Sequence, residues 1–203
     1  MHISEGVLSA PVLVTGVILA AGGVSLGLKK MDFERIPEVA VLTSAFFVVS
    51  LIHVPIGPSS AHLVLNGLIG LLLGWPAFSA ILVGLSLQAL LFQFGGITSL
   101  GVNTFNIALP AVVSFYLFRL FTIKHNPYML VFSAFLCGVV GILGSALLVA
   151  LSLVTTGEAF LTVAKLIVIA HLPVMIIEGL ITATAVVSLK KVRPELLTGK
   201  AKI

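Results

Sequence analysis

The first 28 residues, MHISEGVLSAPVLVTGVILAAGGVSLGL (residues 1–28), join a short polar start to a long apolar run. In the polar start, residues 1–6, His2 directly follows the amino terminus. The apolar run, residues 7–28, has no charged side chain and exceeds the roughly 20 apolar residues that a membrane-spanning helix needs. This stretch therefore predicts a membrane-spanning helix that begins directly after a short amino-terminal loop.

The composition of the whole chain extends this prediction. Of its 203 residues, 59% are hydrophobic and 9% are charged, and the mean hydropathy is +1.25. Soluble domains carry roughly 25% charged residues, so this composition excludes a soluble globule. We expect an all-α, polytopic membrane protein made of one transmembrane domain, residues 1–203. The single cysteine, Cys137, lies inside an apolar run, where it is expected to act as a small packing residue.

The native amino terminus is expected to be kept. A cleavable signal peptide needs a basic segment ahead of its apolar stretch, and here the charge ahead of the first apolar run is that of Glu5. Residues 1–6 are therefore expected to be present in the mature protein, where their side chains and the terminal amine can contribute to a binding site.

Seven apolar segments are candidates for spanning helices. They are residues 7–28, 39–54, 61–75, 77–94, 102–121, 128–153 and 161–189. The third is short, rich in glycine and polar in its first turn, which is typical of a broken helix that lines a site. Merging the third and fourth segments would give six spans, but it would place Trp75 and Pro76 at the membrane centre. About seven transmembrane helices is the preferred prediction.

The basic residues indicate the orientation. With seven spans, the basic residues next to the predicted spans fall on one side of the membrane: Lys29, Lys30, Arg35, Arg119, Lys124, Lys190, Lys191 and Arg193. Cytoplasmic loops carry an excess of Lys and Arg, so this side is expected to be cytoplasmic. The amino terminus then lies outside, and residues 190–203 form a cytoplasmic tail. The net charge of +4 thus indicates orientation, and no nucleic-acid partner is predicted.

The amino-terminal dipeptide has the covalent geometry of a metal chelator. The Met1 amine, the Met1–His2 peptide nitrogen and Nδ1 of His2 can close a five-membered and a six-membered ring, which places three nitrogens in one plane. One further in-plane donor would complete a square. Planar nitrogen sites favour Cu(II) or Ni(II), and Co(II) follows nickel in affinity for such ligands. The alternative is an ordinary disordered terminus, since chain ends are usually mobile.

Two further histidines are expected on the same side of the membrane as His2. His53 and His62 bracket the turn HVPIGPSSAH, and His62 is predicted to open a short helix near the polar Asn66. This setting favours His62 as the fourth metal ligand. His53 precedes a proline turn, and we expect it to orient a ligand through a ring nitrogen that does not itself bind the ion.

His171 and Glu178 are seven residues apart and lie on one face of the last helix. A charged carboxylate at the centre of a spanning helix costs about 2.5–3.5 kcal/mol, so Glu178 should face the bundle interior and have a partner there. We expect a supporting network in which Glu178 accepts a bond from Lys165, Asn103 or the amino-terminal loop; direct metal binding is the alternative. Asn66 and Asn103 are likewise expected to support the site.

No signature of a common enzyme class is present in a suitable setting. The sequence contains no H-E-x-x-H and no Walker lysine, and its G-x-S-x-G match, residues 23–27, lies inside the first apolar run and not at a turn between a strand and a helix. We therefore predict no catalytic residue and no independent coupling to ATP. The alternative from a different class is an intramembrane metalloenzyme built from His53, His62, His171 and Glu178. It would need an open coordination position and an activated water. His125 lies in a basic cytoplasmic loop, where no metal-binding role is expected.

Four motifs resemble one family of membrane proteins. They are MHISEG (residues 1–6), HVPIGPSSAHLVLNGLIGLLLG (53–74), GGITSLGVNTFN (95–106) and HLPVMIIEGLITA (171–183). In this order they resemble the CbiM/NikM family, the substrate-binding (S) subunits of cobalt and nickel energy-coupling-factor (ECF) transporters. The resemblance implies a seven-helix subunit whose amino-terminal loop inserts into the bundle. That loop would bind the ion through the Met1 amine, the His2 amide and imidazole, and His62.

The same resemblance implies a function and a set of partners. The chain is expected to import Co(II), with Ni(II) as the close alternative, as a transported substrate and without an organic cofactor, in support of cobalamin biosynthesis. Its implied place is the cytoplasmic (inner) membrane of a prokaryote. The implied partners, besides the lipid bilayer, are a transmembrane coupling (T) subunit, ATPase (A) subunits and a small auxiliary membrane subunit of cobalt systems.

A stripe of small residues on the first helix is a candidate surface for the coupling subunit. Its members are Gly16, Ala20, Gly23 and Gly27. Their spacing lets another helix approach closely, and packing inside the bundle is the alternative interpretation.

Overall fold

The computed structural model describes residues 2–56, 59–122 and 126–197, and seven α-helices make up most of them. The helices are α1 Ala10–Lys29, α2 Ile36–Val49, α3 Asn66–Leu73, α4 Ala77–Phe92, α5 Leu100–Thr122, α6 Pro127–Thr156 and α7 Leu161–Val192. Two short strands, β1 His53–Ile56 and β2 Ser59–His62, pair as an antiparallel hairpin between α2 and α3. The predicted all-α class is confirmed, and the hairpin is a small addition to it.

The longer helices identify the chain as a membrane protein. Among the described residues, four helical segments are long and apolar enough to cross a bilayer: α1, α5, α6, and α7 with the turn before it. Their outer faces expose large apolar side chains such as Ile18, Leu120 and Leu180. Such faces require a hydrocarbon environment, since water would penalise their exposure.

The third predicted helix is shorter than the sequence indicates. Residues 59–62 pair with β1, so α3 starts only at Asn66, and His62 ends a strand instead of opening a helix. At 1.5 Å per residue, the eight residues of α3 reach about 12 Å, well short of a hydrocarbon core of about 30 Å. All eight residues are buried, so α3 is an interior element. The number and direction of membrane crossings stay predictions.

The stripe of small residues on α1 packs inside the bundle. All four members are buried: Gly16, Ala20, Gly23 and Gly27. A Cβ added to Gly16 would stand 2.3 Å from Val102 of α5, and one added to Gly23 would stand 2.3 Å from Phe78 of α4. The stripe therefore lets α1 approach its own neighbours. It is not the exposed surface that a coupling partner would contact, so the structure contradicts the coupling-surface prediction.

Close backbone contacts hold α3 in the interior. A Cβ added to Gly70 would stand 1.9 Å from the carbonyl oxygen of Ala111, whereas one at Gly22, on the outer face of α1, would meet nothing within 4 Å. We expect Gly70→Ala to reduce the free energy of unfolding by about 1–3 kcal/mol through overpacking. Gly22→Ala should be neutral or stabilising by up to about 1 kcal/mol. Thermal unfolding of the detergent-solubilised variants measures both, and equal melting temperatures would contradict the packing argument.

Candidate metal-binding site

The amino-terminal segment is buried against the start of α5. The backbone N–H of Ile3 donates to Oδ1 of Asn103 at 2.9 Å, and its carbonyl oxygen accepts from Nδ2 of Asn103 at 3.1 Å and from Oγ of Ser99 at 3.0 Å. Ile3 is 0% exposed. Ser99, in the turn before α5, and Asn103, in the first turn of α5, are four residues apart and reach the same carbonyl oxygen. One carboxamide thus pairs with both polar groups of Ile3 and fixes the backbone next to His2.

The turn before α5 fits the same segment because two of its residues are glycines. Gly95 and Gly96 have φ values of +81° and +115°, which other residues rarely adopt. A Cβ at Gly96 would stand 2.4 Å from Oε2 of Glu5, and this oxygen accepts from the backbone N–H of Ile97 at 3.2 Å. The glycines therefore permit the amino-terminal segment to lie directly on the turn.

Asn103→Ala should weaken metal binding through the loss of this anchor. The backbone N–H of Ile3 would be left buried without its partner, at a cost of about 1–3 kcal/mol. Loss of such a supporting group typically lowers metal affinity by about 10- to 100-fold. The matched control is Asn106→Ala on the same helix, since Asn106 is also buried but donates to Ser152 of α6 at 3.0 Å. Isothermal titration with Ni(II) should separate the two variants; equal affinities would contradict the anchoring role.

His62 and His2 meet in the interior. They are 4% and 5% exposed, and Nε2 of His62 lies 3.1 Å from Nδ1 of His2. The two rings lie nearly parallel, inclined by 16° with centroids 4.6 Å apart. The other nitrogen of His62, Nδ1, lies 2.8 Å from the carbonyl oxygen of Leu63. Because a carbonyl can only accept, we assign the His62 proton to Nδ1, which leaves a lone pair on Nε2 facing His2.

This arrangement suits a metal ligand. Burial lowers the pKa of the His62 imidazole well below its ordinary value, which keeps the ring neutral at pH 7. Metal–imidazole bonds are about 2 Å long, so nitrogens at adjacent corners of a square stand about 2.8 Å apart. The observed 3.1 Å between Nε2 of His62 and Nδ1 of His2 is close to that value. It also suits a hydrogen bond in which His2 donates.

Glu178 of α7 contacts the loop that follows β2. It is 0% exposed, and its Oε1 accepts from the backbone N–H groups of Val64 and of Leu65, the latter at 2.8 Å. The sequence indicated a buried network for this carboxylate but named other donors. The donors are neither Lys165, which is exposed on α7, nor Asn103. They are backbone amides, which a side-chain pattern does not reveal.

Two more of the predicted supporting residues bond to backbone carbonyl oxygens. Nδ1 of the buried His171 lies 2.7 Å from the carbonyl oxygen of Ile167, one turn earlier in α7. Nδ2 of Asn66 donates to the carbonyl oxygens of Ile107 and Gly141, so it ties α3 to α5 and α6. Within residues 2–56, 59–122 and 126–197, no three His, Cys, Asp or Glu residues group as metal ligands. His171 and Glu178 therefore do not join the two histidines as a ligand set there.

For three predicted positions the side chain lies outside the described part of the structure. Met1 and His125 lie beyond the described residues, and of His53 only the backbone is described, paired in register with His62. The metal-binding role of Met1, the orienting role of His53 and the absence of a role for His125 stay predictions. Ser99 was not among the predicted residues, although the motif GGITSLGVNTFN contains it, four residues before Asn103.

Comparisons with known proteins show to which family the chain belongs. The model of the CbiM family, described as the cobalt uptake substrate-specific transmembrane region, matches residues 2–196. The chain belongs to the CbiM family. A similar protein of Haemophilus influenzae, named "Putative metal transport protein", is 41% identical over 202 residues, which cover 97% of each chain. CbiM membership makes this chain a transmembrane component of cobalt or nickel uptake, with the metal ion as its substrate.

This CbiM protein is also similar to a nickel transport protein and to a solved transporter structure. A protein of Archaeoglobus fulgidus named "Putative fused nickel transport protein NikMN" is 29% identical over 208 residues, 99% of this chain and 69% of the relative. A crystal structure described as that of a transition metal transporter is 31% identical, with a TM-score of 0.85 and coverage of 98% and 97% of the two chains. CbiM is thus a metal-transport family, and the resemblance seen in the sequence is confirmed.

Proposed function

We propose that this CbiM protein is the substrate-binding subunit of an ECF-type ABC importer that captures Co(II) outside the cytoplasmic membrane of a prokaryote. Ni(II) is the alternative substrate. The observation that supports the proposal most strongly is the buried approach of His62 Nε2 to His2 Nδ1, at 3.1 Å. In this proposal residues 1–203 form one metal-binding domain, with residues 1–6 as the loop that closes on the ion.

Four nitrogens would hold the ion. The proposed set is the Met1 amine, the Met1–His2 amide nitrogen, Nδ1 of His2 and Nε2 of His62. In a square, the amide lies between the amine and Nδ1, so His62 must stand next to His2 Nδ1 and opposite the amide. The short distance between the two imidazoles fits this position. The bond from His62 Nδ1 to the Leu63 carbonyl also fits, because metal-binding histidines usually donate their second N–H to such a group.

Binding in this form releases protons. The Met1–His2 amide gives up its hydrogen, and a protonated amine loses one. Affinity should therefore fall as the pH falls. A square filled by four nitrogens has no in-plane position for a reacting water or substrate, which favours a carrier over a metalloenzyme.

The carrier needs partners for uphill transport. The chain contains no nucleotide-binding motif, so ATP hydrolysis must come from ATPase subunits, connected through a coupling subunit. We include an auxiliary membrane subunit in the proposed complex. The imported metal would supply cobalamin biosynthesis if the substrate is cobalt.

One titration tests the function and the choice of ion. Purified protein is titrated with Co(II) and, separately, with Ni(II), while visible absorption and affinity are recorded. We expect intense planar-nitrogen bands and tight binding with the transported ion. Weak binding of both ions, or spectra typical of octahedral oxygen coordination, would overturn the proposed site. Import by cells that also express the ATPase and coupling subunits, and its loss without them, tests the assignment to an ECF complex.

A further inference from the structure

We propose that Glu178 is a positioning residue for the metal ligand His62, acting through the peptide that joins Leu63 to Val64. This inference rests on the proposed function, because it assumes that His62 binds the ion. It assigns to α7 a role in setting the direction of the fourth nitrogen, although α7 provides no ligand itself.

The contact geometry brings a carboxylate to the loop that follows the ligand. Oε1 of Glu178 accepts from the N–H groups of Val64 and Leu65, two and three residues after His62. Leu65 has a φ of +56°, in the left-handed region, which is strained for a residue that carries a side chain. Successive N–H groups in a turn of this kind converge and form a concave anion site. The buried carboxylate fills that site and holds the turn in its strained form.

One rigid peptide, between Leu63 and Val64, links Glu178 to the imidazole of His62. The N–H of Val64 and the carbonyl of Leu63 belong to the same planar peptide unit and point in opposite directions across it. Glu178 accepts from the N–H end, and Nδ1–H of His62 donates to the carbonyl end at 2.8 Å. Fixing the N–H end therefore fixes the direction of the carbonyl oxygen. The carbonyl oxygen orients the imidazole, whose opposite nitrogen, Nε2, then points at His2.

A purely structural role is the competing explanation. The turn lies at the start of α3, and a negative charge near the amino terminus of a helix stabilises that helix. In that case changes at Glu178 would alter stability and leave the geometry of the bound ion unchanged. The two explanations are separated by the absorption of the ion, which reports the nitrogens around it.

Two conservative variants separate the effect of the length of the Glu178 side chain from the effect of its charge. Glu178→Gln keeps the length of the side chain and an oxygen that can accept both bonds, but it loses the charge. Glu178→Asp keeps the charge and is one methylene shorter, so it withdraws the oxygen from both amides. Full-length protein in detergent is titrated with Ni(II), with the wild type and His62→Ala as references. We expect Glu178→Gln to give the wild-type absorption. Glu178→Asp should bind about 10- to 100-fold more weakly, with absorption shifted toward that of His62→Ala.

Other outcomes overturn the inference. Wild-type absorption in Glu178→Asp, with only a lower melting temperature, would leave Glu178 a structural role alone. Impaired binding in Glu178→Gln with normal binding in Glu178→Asp would show that charge matters and reach does not. If the aspartate variant does not fold, Glu178→Met, which removes the acceptor at similar side-chain length, takes its place: absorption shifted toward that of His62→Ala supports positioning, and wild-type absorption refutes it. If the wild type and His62→Ala have the same affinity and absorption, His62 is not a ligand and the proposed function fails. A failure of the proposed function is thus distinguishable from a failure of the positioning role of Glu178.

Discussion

A block on the amino terminus is expected to abolish tight metal binding. Acetylation of Met1, or addition of two residues before it, removes the terminal amine and with it the five-membered chelate ring that includes the Met1–His2 amide. Structural zinc sites with four ligands bind their ion with about 10–16 kcal/mol, which we take as the scale for a four-nitrogen site. Loss of two of four donors should therefore weaken binding by on the order of 10³-fold or more. Isothermal titration of Co(II) and Ni(II) into blocked and unblocked protein measures the difference.

A block on the terminal amine should leave the other contacts of the amino-terminal segment intact. Residues 3 and 5 are held by α5 and the turn before it, through Asn103, Ser99 and Ile97, and none of these bonds involves the terminal amine. The same extension placed after Ile203 is the matched control and should leave affinity unchanged. Blocked protein that folds normally and binds metal as tightly as the control would refute the terminal chelate. A metalloenzyme built from His53, His62, His171 and Glu178 would give that result.

Replacement of His62 is the second change with a large expected effect. His62→Ala removes the nitrogen proposed to stand opposite the His2 amide and leaves the three-nitrogen chelate of the terminus. We expect binding to weaken by about 100-fold or more, taking one quarter of the free energy of a four-ligand site as the estimate. The absorption band of the bound ion should move to lower energy, because water replaces a stronger nitrogen donor in the plane.

The variant needs two controls. His125→Ala removes a histidine that is expected to lie in a cytoplasmic loop, and it should bind metal like the wild type. Circular dichroism and size-exclusion chromatography of His62→Ala should show a folded protein, since the change also removes the donor to the Leu63 carbonyl. A folded His62→Ala with unchanged affinity and absorption would refute His62 as a ligand.

The elements that the sequence predicted well share a strong local signal. The long apolar segments became α1, α5, α6 and α7, with ends within about four residues of those expected. Such helices follow from hydropathy alone, because a chain in lipid must satisfy its backbone hydrogen bonds within each segment. The third segment was less regular. Its first two residues, 61 and 62, belong to β2, since pairing with residues 53–56 satisfies the same backbone groups across two strands.

Supporting contacts were harder to predict than ligands. The approach of His2 to His62 was expected from the chemistry of nitrogen ligands. The donors to Glu178 were not expected, because they are backbone amides of Val64 and Leu65, and every residue has such groups. The spacing of the small residues on α1 is compatible with packing against a partner subunit or against helices of the same chain. The structure shows that they pack against helices of the same chain.

The sequence by itself determined that this protein is a helical membrane protein of the CbiM type, because composition and hydropathy act locally and the motif residues lie in short, ordered stretches. Only the tertiary structure decided which distant groups meet. It brought His2 to His62 across 60 positions, and Glu178 to the loop after β2 across more than 110. Such pairings depend on how helices pack and on where turns reverse the chain, and both are properties of the whole fold.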